Sequence, residues 1–242
     1  MDFSHPAFDP YRPLLDKLPR HRLPSPAELT RLAQETGAAL RFVETRDPLS
    51  ACEYEQGILD TGAVPTRPDN VHDFMNALVW LSFPKLKAGL NRIHCQTLAD
   101  NPAEARQRGP QRDAATLLDE SGVLAFTGDA EFLSLLGGRR WHEAFVERRR
   151  QLVSCSQFLL VGHALMEKLL NPYLSITSKC LVLLARPAQL ADADRIAAAA
   201  LAGIRAPSQL PPLPIAGIPG WHVHNQLASF YDNPAIFRPL AH

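Results

Sequence analysis

The fold is decided by the stretch Arg67-Pro-Asp-Asn-Val-His-Asp-Phe-Met-Asn-Ala-Leu-Val-Trp-Leu-Ser-Phe-Pro-Lys-Leu-Lys-Ala-Gly-Leu-Asn-Arg-Ile-His94. The Asp-Asn pair at 69–70 can cap a helix that continues to about Ser82. Pro84 ends that helix and begins a second one, which runs to about Leu98. Apolar side chains recur at helical spacing in this region. It therefore predicts two consecutive helices whose polar residues stand among bulky apolar ones.

The patterns outside this stretch predict shorter elements. We expect further helices over residues 25–36, 50–60, 112–119, 130–136, 140–150, 163–170 and 192–202, on caps and helical periodicity. We expect strands over residues 40–44, 122–127, 152–161 and 179–185, on alternation or short apolar runs. Residues 100–111 are predicted to be a polar surface loop. The predicted fold class is α+β, predominantly helical, with a small mixed sheet of about three to five strands.

Proline defines the two ends of the chain. Residues 1–25 hold five prolines and little periodicity, and we interpret them as an extended arm that lies on the body of the protein. Residues 26–205 are predicted to form a single α+β globular domain. Residues 206–242 form a tail rich in proline and aromatic residues, which we expect to pack on the same domain because its aromatic side chains can bury apolar area.

Composition excludes several classes of function. Twenty-five basic and twenty-five acidic residues cancel, so no global field favours nucleic acid or an anionic membrane. The arginines at 139, 140, 148, 149 and 150 alternate with Glu143 and Glu147, a pattern typical of a solvated helix face. No apolar run is long enough to span a bilayer.

The cysteines and the N-terminus bear on location. The four cysteines are widely separated and include no Cys-x-x-Cys pair, which argues against a zinc ribbon or a dense disulfide framework. The N-terminus lacks the pattern of a secretion signal. We therefore expect a cytoplasmic protein.

The two central helices carry the first candidate site. Residues at i, i+4 and i+7 share a face of a helix, and two adjoining helices can bring such faces together. The resulting pocket floor would consist of His72, Asn76, Lys87, Asn91 and His94. Asp73 can contribute as well, or can simply favour the helix dipole in the first turn. In the alternative interpretation the second stripe faces water, and for Lys87 we favour that alternative.

Two further motifs carry chemistry-capable side chains. Arg112-Asp113 begins a predicted helix that ends at Asp119-Glu120, where an arginine could clamp an anion and a carboxylate could act as metal ligand or general base. His163 and Glu167 stand four apart on a helix that follows a strand, so the glutamate could orient the histidine or share a metal with it. Local ion pairing without function is the alternative for both motifs.

These candidates lead to a functional hypothesis. We expect a hydrolase acting on a small molecule that bears a phosphate or carboxylate. His72 or His163 would be the general base, oriented by Asp73, Asp113 or Glu167, and the substrate would be bound by Asn76, Asn91 and Arg112. A divalent zinc, manganese or iron ion could be bound by residues drawn from His72, His94, His163 and Glu167.

Two alternatives remain open. The first is a non-enzymatic binding or assembly protein, with a buried structural network of His, Asp and Asn and an arginine-rich partner surface at 139–150. The second is a His-Asp phosphohydrolase: His72-Asp73 has the dipeptide, but its flanking residues are not those usual in that superfamily.

Several motifs resemble one known family. They are the run from His72 to Pro84, Arg112-Asp113 with 118–122, the run from Gly162 to Lys168, and the tail from Phe230 to Pro239. All are similar to a bacterial family described only as a domain of unknown function, family 3025. The resemblance covers the chain from about residue 50 and implies a single domain. It implies no activity, cofactor or catalytic residue.

Overall fold

The computed structural model of the chain describes residues 1–100, without the side chains of 97–100, and residues 109–240. The strands in these ranges are β1 Arg41–Glu44, β2 Ala63–Thr66, β3 Gly122–Thr127, β4 Ser156–Leu160, β5 Thr177–Leu183 and β6 Pro212–Pro214. A mixed four-stranded sheet has the order β4-β3-β5-β6, and β1 pairs with β2 in a separate parallel sheet.

The helices surround these sheets. The α-helices are α1 Arg12–Leu15, α2 Pro26–Glu35, α3 Ala51–Thr61, α4 Val71–Ser82, α5 Pro84–Asp100, α6 Pro110–Ser121, α7 Phe132–Gly137, α8 Arg149–Cys155, α9 His163–Lys168 and α10 Leu190–Ala200. A π-helical turn spans Glu143–Glu147, and short 3-10 helices span Pro6–Tyr11, Leu201–Gly203, Pro207–Gln209, Ile215–Gly217, Val223–Gln226 and Ala228–Asp232. The structure confirms the predicted α+β class and the small mixed sheet.

Strand β3 is the centre of the larger sheet. It pairs antiparallel with β4 and parallel with β5, and all six of its residues are buried. Strand β6 holds two prolines and lies at an edge, where a missing N–H costs no ladder hydrogen bond. Helix α6 leads directly into the central strand β3. Strand β4, which pairs with β3, leads into α9.

A close crossing of two glycines holds the end of α6 against the start of α9. The amides of Val161 and Gly162 both donate to the Gly122 carbonyl, at 3.0 and 2.9 Å. A Cβ on Gly162 would lie 2.3 Å from the Gly122 nitrogen, closer than real Cβ atoms approach backbone. Because both positions lack a side chain, the residues just before Gly122 lie beside those just after Gly162.

Local capping explains several helix starts. Ser25 and Glu28 form a capping box at α2, and Ser50 and Glu53 form one at α3. At α4, the Asn70 side chain accepts from the amide nitrogen of Asp73 at 2.9 Å. The predicted starts of these three helices are confirmed, as is the start of α5 at the residue that follows Phe83.

Some predictions of local structure are wrong. The segment expected to be an extended arm is helical over residues 6–15, and Phe8 and Tyr11 are fully buried. Residues 152–155 end helix α8 rather than beginning β4, and β2 was not predicted at all. The expected loop at 100–111 lies mainly outside the described residues, but α6 already begins at Pro110. In each case tertiary packing overrides the local pattern.

The hydrophobic core contains residues from all three predicted segments, namely 1–25, 26–205 and 206–242. It extends from Ala7 to Phe237. The tail is attached by hydrogen bonds, since the Trp141 indole donates to the Arg238 carbonyl at 2.9 Å and Arg149 donates to the Asn225 carbonyl at 2.7 Å. No helix of the described residues is both long and apolar enough to cross a membrane.

Candidate functional site

A cavity of about 430 Å³ lies among α3, α4, α5, the end of α6 and the start of α9. The five residues predicted as a pocket floor all line it: His72, Asn76, Lys87, Asn91 and His94. The cavity falls within the size range of small-molecule sites. The helical spacing of these side chains therefore located the wall of a real cavity.

Two histidines from distant parts of the chain meet in this cavity. The Nε2 atoms of His72, on α4, and His163, on α9, lie 3.1 Å apart. His163 is almost fully buried, whereas the His72 side chain is 37% exposed. Burial lowers the pKa of His163 to about 4, although the negative charge of Asp119 opposes that shift. His163 is therefore neutral near pH 7.

Each of the two imidazoles also has a carboxylate near its other ring nitrogen, Nδ1. The Nδ1 atom of His72 lies 3.2 Å from a Glu167 oxygen, and Nδ1 of His163 lies 3.9 Å from an Asp119 oxygen. An ionised carboxylate only accepts hydrogen bonds, so His72 donates from Nδ1, and in the neutral form of the ring its Nε2 presents a lone pair. If Nε2 of His163 donated to that lone pair, the buried Nδ1 of His163, which has no hydrogen-bond partner among the described residues, would keep an unpartnered lone pair 3.9 Å from Asp119.

A divalent cation between the two Nε2 atoms removes this conflict. Both rings could then keep their protons on Nδ1, toward the carboxylates, with both Nε2 lone pairs on the metal. Two nitrogens at about 2.0–2.1 Å from one zinc ion are about 2.9 Å apart in octahedral and about 3.3 Å apart in tetrahedral geometry. The observed 3.1 Å separation falls between these values.

Glu120 supplies a third potential ligand. One Glu120 oxygen lies 3.7 Å from Nε2 of His163, and one ligand atom each from His72, Glu120 and His163 lie within 4.8 Å of one another. Burial, reinforced by the negative charge of Asp119, raises the pKa of Glu120. Two histidines and one glutamate form a ligand set used by catalytic zinc sites, which keep a further position open for water.

Lys87 is buried beside the three candidate metal ligands His72, Glu120 and His163 (the metal-ligand cluster). This corrects the expectation that Lys87 faces water. Its Nζ atom lies 2.5 Å from an Asp119 oxygen and 5.4 Å from the centre of the Trp80 ring. Burial alone would raise the pKa of Asp119, but the ammonium group of Lys87 holds it below its ordinary value. The pair stays charged because each partner compensates the other.

The wall formed by α3 carries hydrogen-bonding groups. The side-chain amide of Asn91 donates to a Glu55 carboxylate oxygen at 2.6 Å and to the Glu55 carbonyl at 2.8 Å. The Asn76 amide donates to the Tyr54 hydroxyl at 2.9 Å. Burial raises the pKa of Glu55, even though the hydrogen bond from Asn91 opposes this shift. This wall is thus built from acceptor-rich side chains.

Two candidates from the sequence lie away from the cavity. Neither Arg112 nor Asp113 lines it, although the positive charge of the buried Arg112 opposes the rise in the pKa of Glu55, which does line it. Arg112 and Asp113 lie seven residues before Asp119 and Glu120, respectively, on α6. That separation is about two helical turns, or about 10 Å along the helix axis. Arg112 is therefore not in the cavity wall, where the expected role in substrate binding would place it. The same is true of Asp113 and its expected catalytic role.

Asp73 and the remaining candidates have different surroundings. Asp73 lines the cavity, but its carboxylate accepts from the Arg67 guanidinium at 2.7 and 3.0 Å and from the Arg67 amide nitrogen at 2.7 Å. Burial opposes the shift, yet these contacts lower the pKa of Asp73. His94 lines the cavity outside the metal-ligand cluster, and Glu167 lies behind His72. The acid beside the histidines is Glu120 rather than the Asp73 of a His-Asp dipeptide.

The sequence reasoning missed part of the site. For Tyr54 and Glu55 the sequence predicts only a short helix, and it places Asp119-Glu120 at the end of another helix without indicating a role in the site. The sequence does contain a signal for these residues. Asp119 and Glu120 lie just before Gly122, and His163 lies just after Gly162. Only the crossing of those glycines makes the two segments neighbours.

Comparison with known proteins identifies the family of the chain. A family model described as a protein of unknown function, DUF3025, matches residues 40–241. The chain belongs to the DUF3025 family. No curated protein and no solved structure matches it. The DUF3025 match includes the whole metal-ligand cluster and all of α3, but not α2 or the N-terminal helical segment.

Proposed function

We propose that this protein is a hydrolase whose catalytic divalent cation, zinc in the first instance, is bound by His72, Glu120 and His163. The observation that carries the proposal is the 3.1 Å approach of two Nε2 atoms whose rings both face carboxylates on the other side. The carboxylate–histidine–metal arrangement accounts for all of these contacts together.

The reaction follows from the chemistry of a three-ligand site. A zinc ion held by His72, Glu120 and His163 would act as a Lewis acid and would activate a water for attack on the acyl carbon or phosphorus of the substrate. As the new bond to oxygen formed, the bond to the leaving group would break, the water would give up a proton to solvent, and the leaving group would take up a proton from water. An anionic oxygen of the substrate would bind the cation.

The cation would also be the receptor for an anionic substrate. Lys87 and Arg67 line the cavity but are paired with Asp119 and Asp73. With Arg112 outside the cavity, no free guanidinium of the described residues is positioned as an anion clamp. A phosphate- or carboxylate-bearing small molecule would therefore depend on the metal for its charge complement.

Metal analysis tests the proposal. Protein purified without an affinity tag or a chelator should contain about one equivalent of zinc, and His72→Ala and His163→Ala should lose it while remaining folded. His142→Ala, at an exposed position off the cavity wall, is the matched control. Wild-type protein that binds no divalent metal would refute the metal centre. Iron that supports no hydrolysis would favour oxygen chemistry, which also uses two histidines and a carboxylate.

The alternative of a non-enzymatic assembly protein has less support. Four of the five arginines at 139–150 contact groups of the chain itself: Arg139 contacts the Pro239 carbonyl, Arg140 contacts Glu143, Arg148 contacts Asp129, and Arg149 contacts the Asn225 carbonyl. If the histidines were purely structural, the same alanine variants would lose several kcal/mol of unfolding free energy without any change in metal content.

We also propose a cytoplasmic location. The support is that the four cysteines of the chain are all free, as is usual in a reducing compartment. Fractionation of cells expressing the untagged protein tests this, and recovery in an oxidising compartment would contradict it.

A further inference from the structure

The cavity carries more negative than positive charge. Among the described residues that line it, five are carboxylates and two are cationic, a formal charge of −3 with neutral histidines. Both cations are already paired, Lys87 with Asp119 at 2.5 Å and Arg67 with Asp73 at 2.7 Å. A bound divalent cation reduces this charge but does not cancel it. The cavity therefore favours a positively charged group.

Glu55 is the carboxylate on the α3 side of the cavity with the capacity for another partner. Asn91 holds one of its oxygens at 2.6 Å. Among the described residues, no Lys, Arg or His nitrogen lies within 4.0 Å of the carboxylate. A half-buried carboxylate that receives one neutral hydrogen bond retains strong acceptor capacity, which a charged donor satisfies best.

Asn76 supplies a second, independent observation. Its side chain lines the same cavity and is 8% exposed. Its amide nitrogen donates to Tyr54, and within the described residues its amide oxygen has no hydrogen-bond partner. A buried acceptor without a partner is destabilising, because it has lost its hydrogen bonds to water. Such an atom on a cavity wall indicates a ligand that donates an N–H or O–H group there.

We propose that the substrate carries a protonated amine, which Glu55 binds as an ion pair while Asn76 accepts a second N–H. This proposal rests on the proposed hydrolase, because the scissile group would lie at the cation bound by His72, Glu120 and His163. The substrate class is thus a small aminoalkyl compound with an anionic or carbonyl group at its other end. The net charge of the cavity, the remaining acceptor capacity of Glu55 and the unpartnered amide oxygen of Asn76 agree on this polarity.

Matched phosphonates test the amine without requiring turnover. Zinc-loaded protein is titrated by calorimetry with ω-aminoalkylphosphonates of two to five methylenes, each compared with the alkylphosphonate in which a methyl group replaces the ammonium. For at least one length, the amine should bind at least about tenfold more tightly, since a charged hydrogen bond contributes about 1.5–3 kcal/mol. Glu55→Gln should abolish that preference, while the alkylphosphonate still binds.

The controls separate this proposal from the proposed function. Asp60→Asn removes a charge from the exposed part of α3 and should retain the preference. Equal affinities within every pair, no binding of any phosphonate, or a preference that survives Glu55→Gln would overturn the amine site. Zinc content is measured in the same samples, so a stable metal centre without amine preference leaves the hydrolase intact and refutes only the amine.

Discussion

Glu167 lies behind His72, where it can fix the tautomer of this proposed metal ligand. Its oxygen is 3.2 Å from Nδ1 of His72. Replacing it by glutamine should lower zinc affinity about 10–100-fold, because a neutral acceptor orients and polarises the ring less effectively. Competition with a chromophoric chelator measures the affinity. Glu147→Gln makes the same change at an exposed site off the cavity and should have no effect. Equal affinities of the two variants would contradict this role.

Lys87 neutralises Asp119, a largely buried carboxylate of the cavity. Only 6% of its side chain and 15% of that of Asp119 are exposed. We expect Lys87→Met to lower the free energy of unfolding by about 3–5 kcal/mol, because it leaves a buried carboxylate unpaired. Adding Asp119→Asn should recover part of this loss. Urea denaturation measures both, and Lys85→Met, at an exposed position, is the control. A double variant no more stable than the single one would contradict the pairing.

His163 should make the metal-free protein sensitive to mild acid. Its pKa falls to about 4 in the folded state, against about 6.5 in an unfolded chain. Below pH 6.5 the unfolded state binds a proton that the folded state does not, so acid favours unfolding. Between pH 6.5 and 4 this group should remove up to about 3 kcal/mol of unfolding free energy.

Denaturation in the presence of chelator measures this dependence. His163→Gln should lose less stability than wild type across the same interval, because it has no imidazole to protonate. Identical pH profiles for the two proteins would show that the burial of His163 contributes nothing to acid sensitivity.

At the scale of elements, the crossing of Gly122 and Gly162 assembles the metal-ligand cluster. A methyl group on Gly162 would lie 2.3 Å from the Gly122 nitrogen and must separate α6 from α9. We expect Gly162→Ala to cost about 1–3 kcal/mol or more and to weaken zinc binding, since Glu120 and His163 lie on opposite sides of the crossing.

Gly57→Ala is the matched control on α3, because nothing lies within 4 Å of the added methyl group. It should leave zinc binding unchanged and raise stability by up to about 1 kcal/mol. Chemical denaturation and zinc titration of both variants test the prediction. A Gly162→Ala protein with unchanged stability and zinc affinity would contradict it.

At the scale of the whole molecule, the N-terminal segment belongs to the core although the family match begins at residue 40. Phe8 and Tyr11 are fully buried, and the Tyr11 hydroxyl donates to the Leu160 carbonyl at 2.5 Å. Removing residues 1–39 should cost about 5 kcal/mol or more, because it exposes the apolar surface these residues cover. Tyr11→Phe should cost about 1–3 kcal/mol. A truncated chain with the unfolding free energy of the full chain would contradict this.

Several features followed from the sequence because they are local. Helices α2, α3 and α4 begin where Ser25, Ser50 and Asn70 can cap them, and α5 follows Phe83 because proline begins a helix readily. The grouping of cavity residues on α4 and α5 also followed, since a helix repeats every 3.6 residues. By itself the sequence therefore determined the fold class and one wall of the cavity.

Tertiary structure decided which residues complete the site. Glu120 and His163 are brought together by strand pairing and by the glycine crossing, and neither is visible in local periodicity. Arg112 was selected for its charge, but its position two turns from Glu120 keeps it off the cavity wall. From the sequence alone Lys87 is expected at the surface. In the structure it is buried, because Asp119 compensates its charge. Contacts between segments distant in the chain depend on packing, which no single segment encodes.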